Sequence, residues 1–117
     1  MLHTYKDLIV WQKSVALAVS LYALTEEFPK EEIYGLTSQM RRASVSIASN
    51  IAEGRLRGHK KEFIQFLMIA FGSGGELETQ IEIAKQLPKT KNLDYLSVES
   101  LLTEVMKMLH KMITQLG

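Results

Sequence analysis

Three histidines, thirteen carboxylates and a scatter of serines are the side chains of this sequence that could do acid–base or nucleophilic chemistry. Their spacing argues against it. No serine stands in the strand–turn–helix setting of a nucleophile elbow, and no histidine has neighbours that mark it as a general base. A helical bundle could hold two metal ions, but that site needs Glu-x-x-His on two helices and a glutamate from each of the others. The residue three before His59 is Leu56, the residue three before His110 is Lys107, and His3 has too little chain ahead of it. With no cysteine anywhere, disulfides, thiolate metal sites, iron–sulfur clusters and a cysteine nucleophile are all excluded. The sequence therefore assigns no catalytic, metal-binding or cofactor-binding residue and is read as non-enzymatic.

Two further patterns could meet phosphate. Gly72-Ser73-Gly74-Gly75 has the glycine content of a phosphate loop, but Glu76-Leu77-Glu78 follows where Lys-Ser or Lys-Thr is required. An acidic pair repels phosphate, so close helix crossing or a local kink explains these glycines better. The second pattern is basic. Between Arg41 and Lys61 lie Arg41, Arg42, Arg55, Arg57, Lys60 and Lys61 against the single acid Glu53, a local surplus of five. Arg55, Arg57, Lys60 and Lys61 at a helix–helix junction could grip RNA or DNA phosphates. They could equally be a solvated turn with helix-end cations and a Glu53–Arg57 pair. Arg41 and Arg42 sit in mid-helix beside core positions, and the preferred reading pairs at least one of them with Glu76 or Glu78 on the third helix.

Four helical segments must position these residues. Pro29 and Pro88, the only prolines, punctuate helix ends. The periodicity predicts a first helix from Lys6 to Phe28, with one stripe through Leu8, Trp11, Val15, Ala18 and Tyr22 and a second through Leu17, Leu21, Leu24 and Phe28. So wide an apolar arc suggests a partner surface. A second helix runs from Ile33 or Leu36 to Arg55, with Met40, Ala43, Ile47 and Ile51 inward and Gly54 as its end signal. Its many small residues, Ala43, Ser44, Ser46, Ala48, Ser49 and Ala52, allow a neighbouring backbone to come close. A third runs from His59 or Lys60 to Leu87 and a fourth from Asp94 to Leu116. Short connections predict an all-α, antiparallel up-down-up-down four-helix bundle, with residues 1–117 as one domain. No apolar run reaches membrane-spanning length and no leader pattern opens the chain, so the expected location is the cytoplasm, without membrane contact.

The run Tyr34-Gly35-Leu36-Thr37-Ser38-Gln39-Met40-Arg41-Arg42-Ala43 continues through Val45-Ser46-Ile47-Ala48-Ser49-Asn50-Ile51-Ala52-Glu53-Gly54. With Lys61-Glu62-Phe63, Gly72-Ser73, Glu76-Leu77-Glu78-Thr79-Gln80 and the opening Tyr5-Lys6-Asp7-Leu8 and Trp11, it resembles the bacterial four-helix-bundle family named after the 23S ribosomal RNA intervening sequence. The resemblance implies a protomer that assembles into a ring-like homopentamer. A related bundle accompanies retroelement reverse transcriptases and looks like a basic pentameric barrel, which makes nucleic-acid binding the analogy. The family commonly has proline where this chain has Ala48, so a kink there is softened or absent. The functional expectation is a homo-oligomeric scaffold that binds RNA or DNA; the alternative is a protein-binding adaptor without nucleic-acid contact.

Overall fold

The computed structural model describes residues 4–117, so His3 lies outside the described residues. Their regular structure is helical throughout: a 3-10 turn over Tyr5–Asp7, α1 over Ile9–Thr25, a second 3-10 turn over Lys30–Glu32, α2 over Leu36–Leu56, α3 over Lys60–Ala84 and α4 over Leu96–Leu116. The helices form a rod of 45 × 21 × 21 Å. Each packs against its neighbours in chain order, and α4 returns to α1.

Cross-helix pairs fix the directions. Along α1, Lys13 meets Glu104 and the later Ser20 meets the earlier Ser97 of α4. Between α2 and α3, Gly54 lies against Phe66 while Ser46 bonds Ser73. Between α3 and α4, Phe71 approaches His110 while Lys85 reaches Glu99. As the residue number rises on one helix it falls on the other, so these neighbours are antiparallel.

The core is built from one stripe of each helix: Leu17, Leu21 and Leu24, then Met40, Ala43, Ile47 and Ile51, then Leu67, Ala70, Leu77 and Ile81, and lastly Val98, Leu102, Val105 and Leu109. On α1 only the second expected stripe is central. Leu8 and Trp11 pack at its margin and Tyr22 is exposed, because Lys13 and Ser20 take the contact with α4.

The first three helices differ from expectation at their ends, each for a local reason. The first helix is interrupted at Leu8, whose backbone is extended, and ends at Thr25, whose hydroxyl turns back to donate to the Leu21 carbonyl. The second helix runs past Gly54. Its terminator is Gly58, at φ +78°, a conformation glycine adopts without steric cost. Gly54 instead marks the close approach of α3, where an added Cβ would stand 2.6 Å from Phe66 Cβ. The third helix stops at Ala84 rather than Leu87, because the Thr90 hydroxyl donates to the Ala84 carbonyl and the Tyr95 hydroxyl donates to the Thr90 carbonyl. Those two buried bonds clamp the α3–α4 connection. In the glycine run, Gly74 is covered by the Met106 side chain, as close crossing requires. Gly72 and Gly75 face open space, and nothing in the structure explains them.

Candidate nucleic-acid interface

The α2–α3 junction holds the basic residues at one end of the rod. Arg55, Arg57, Lys60 and Lys61 are all exposed, as is His59, which precedes the first turn of α3. The Arg55 guanidinium lies 6.0 Å from the centre of the Phe63 ring. Arg57 is more engaged. It donates to Glu53 at 2.9 Å and Glu62 at 3.5 Å and lies 5.1 Å from the Phe66 ring centre. Its charge is largely matched inside the protein, whereas Arg55, Lys60 and Lys61 have no carboxylate partner among the described residues. A hollow of about 220 Å³ opens between Arg55, Lys60, Phe63 and Leu116 at the end of α4.

Sequence reasoning missed Lys6. The fold brings the amino-terminal turn to the end of α2, so Tyr5 and Lys6 share a hollow of about 450 Å³ with Arg55 and the exposed Leu56. No local pattern announces this, since the two segments are about fifty residues apart in the chain.

The six-cation run is also divided. Arg41 lies fourteen residues before Arg55 on the same helix, which at about 1.5 Å per residue separates them by about 21 Å. Arg41 and Arg42 therefore belong to the opposite end. The expected partnership with Glu76 or Glu78 is not formed. Arg41 turns toward α1, donating from Nε to Thr25 Oγ1 at 2.8 Å and from Nη2 to the Tyr22 carbonyl and Glu26 at 3.3 Å each. Arg42, Glu76 and Glu78 are exposed, and none has an ion-pair partner among the described residues. Arg41 turns to α1 because a hydroxyl, a carbonyl and a carboxylate beside the Tyr22 ring take its Nε and Nη2 hydrogens there.

Divided across its long axis, the bundle is polar in charge. The half with the α2–α3 junction carries Lys6, Lys13, Arg55, Arg57, Lys60, Lys61, Lys107 and Lys111 against Asp7, Glu53, Glu62 and Glu104, a surplus of four. The other half holds six cations and nine acids, a deficit of three, which returns the net charge of +1. No helix among the described residues is long and apolar enough to cross a membrane.

Comparison with known proteins agrees with this architecture. A comparison with curated proteins found no match. A crystal structure of a protein of unknown function from the S23 ribosomal protein family of Bacteroides thetaiotaomicron is similar at a TM-score of 0.73 and 25% identity, over 90% of this chain and 98% of that one. The sequence profile of the 23S rRNA-intervening sequence proteins matches residues 6–111, from the amino-terminal turn into the last turns of α4. With the match reaching all four helices, the chain belongs to the 23S rRNA-intervening sequence protein family.

Proposed function

We propose that this protein is a non-enzymatic scaffold that assembles with copies of itself, as a pentamer by family resemblance, and offers its basic end to RNA or DNA in the cytoplasm. The observation that carries the reading is the position of Lys60 and Lys61. They occupy the first turn of α3, where the helix dipole is positive and cations are disfavoured by about 0.3–1 kcal/mol each. Helix stability therefore does not account for them, as it does for Arg55 near the carboxyl end of α2. An anion at this corner would meet Arg55 with Lys60 in one hollow or Arg55 with Lys6 in the adjoining one, and Lys61 follows Lys60 on the same exposed turn. In an oligomer each copy repeats the patch, and multivalent contact raises apparent affinity by about 10²–10⁴.

The test is retention of single-stranded or structured RNA by the purified protein, with affinity expected to fall steeply between about 50 and about 200 mM salt. Replacing Arg55, Lys60 and Lys61 with glutamine should weaken binding while leaving helicity and assembly unchanged. Light scattering that reports a monomer at micromolar concentration would remove the assembly reading. Absence of any retention at low salt favours the adaptor reading.

A further inference from the structure

At the opposite end of the rod, the last turns of α1 and the first turns of α2 enclose a groove of about 640 Å³, within the size range of small-molecule sites. Arg41 forms its wall and is held in place. Thr25 Oγ1, the Tyr22 carbonyl and the Glu26 carboxylate take its Nε and Nη2 hydrogens, and its guanidinium lies 4.4 Å from the Tyr22 ring centre. Its Nη1 has no protein acceptor among the described residues. Lys30 and Arg42 line the same groove, exposed and with no ion-pair partner there. Thr37 completes the wall, and its hydroxyl is buried with no protein partner.

These groups define an anion receptor. Lys30, Arg41 and Arg42 against Glu26 leave the groove a surplus of two positive charges. A carboxylate brings one negative charge, whereas a phosphate monoester brings about two at neutral pH and three acceptor oxygens. A guanidinium fork suits phosphate geometry, and the Tyr22 and Phe28 rings offer apolar surface beside it. Glu27 and Glu32, beside the groove in the chain, disfavour a continuing polyanion such as a nucleic-acid strand, whereas Glu31 is paired with Lys89. Glu26, mostly exposed and held to Arg41 by one contact of 3.3 Å, occupies part of the receptor as an internal carboxylate.

We propose that the α1–α2 groove binds a phosphate monoester carried on an apolar or aromatic body, displacing Glu26 from Arg41. The site is independent of the nucleic-acid reading, since it shares no residue with the α2–α3 corner.

Titration of the full chain with phenyl phosphate, inorganic phosphate and benzoate, followed by amide chemical shifts, tests the proposal. Phenyl phosphate should move the Thr25, Thr37 and Arg41 signals and bind about tenfold more tightly than benzoate, the difference expected for one extra charge-assisted contact. Tighter binding of phenyl phosphate than of inorganic phosphate identifies an organic monoester as the ligand class. Equal binding of the two overturns that part and leaves a simple phosphate site. Affinity should rise between about pH 5 and about pH 7 as the second phosphate proton, of pKa near 6, is lost. Lys30→Gln and Arg42→Gln, both surface changes that spare folding, should each weaken binding about threefold to tenfold. Glu26→Gln should strengthen it, and Lys60→Gln should leave it unchanged. No response to phenyl phosphate at about 10 mM, a range where even weak affinity registers, overturns the proposal. So does binding indifferent to both the Lys30→Gln and Glu26→Gln changes.

Discussion

Replacing Gly54 with alanine tests the close approach of α2 and α3. The added methyl would lie 2.6 Å from Phe66 Cβ, 3.2 Å from Phe63 Cδ1 and 3.4 Å from the Phe63 carbonyl oxygen. Carbons in contact prefer about 3.5–4.0 Å, so α2 and α3 must part by about 1 Å at that point. Phe66 Cβ is fixed to its backbone and cannot swing aside. Overpacking of this kind costs about 1–3 kcal/mol, against a gain of at most about 1 kcal/mol from the better helix propensity of alanine. The net expectation is a loss of about 1 kcal/mol. Gly72→Ala is the internal control. Its Cβ meets nothing within 4 Å, so the same substitution there should stabilise by about 0.5–1 kcal/mol. Urea denaturation followed by far-ultraviolet circular dichroism measures both, at one protein concentration because the proposed self-association would shift the midpoint. In thermal melts the two variants should differ by several degrees, since about 1 kcal/mol corresponds to about 3–5 °C for a chain of this length. A Gly54→Ala protein as stable as Gly72→Ala would refute the reasoning, because propensity alone would then govern both sites.

Arg41→Ala should cost about 1–2 kcal/mol in the same assay rather than the roughly 3–5 kcal/mol of a broken buried pair, since Glu26 is mostly exposed and the loss is mainly the Thr25 bond. Tyr95→Phe should cost about 1 kcal/mol by leaving the Thr90 carbonyl without its 2.8 Å donor. Burial raises the Tyr95 phenol above its ordinary value of 10.0, so the unfolded chain ionises first. The contribution of Tyr95 to stability is therefore complete below pH 10 and lost as pH rises through the folded value; the phenylalanine variant should show less of this alkaline decline. Glu53→Gln removes one acid from the basic corner and releases Arg57 from its 2.9 Å pair, so RNA retention should strengthen with helicity unchanged.

Much of the fold was legible in the sequence because helices are encoded locally. Apolar residues three and four apart, broken at Pro29 and Pro88, are enough to specify four segments, and short connections leave them little choice but to reverse direction. The α2–α3 corner was legible for the same reason: Arg55, Arg57, Lys60 and Lys61 lie within seven residues that span one turn. Other features depend on how the helices are rotated against one another. Arg41 lay within reach of two neighbouring helices, and only packing decided that it faces Thr25 and Glu26 rather than Glu76 or Glu78. Gly54 read as a helix stop because glycine serves both as a terminator and as a crossing point, and a sequence does not say whether another helix is there. Lys6 joined Arg55, and the basic run divided between two ends, because charge is placed by the three-dimensional order of the helices. Periodicity belongs to a segment and survives without its neighbours, whereas a pairing or a groove exists only once two segments share one space.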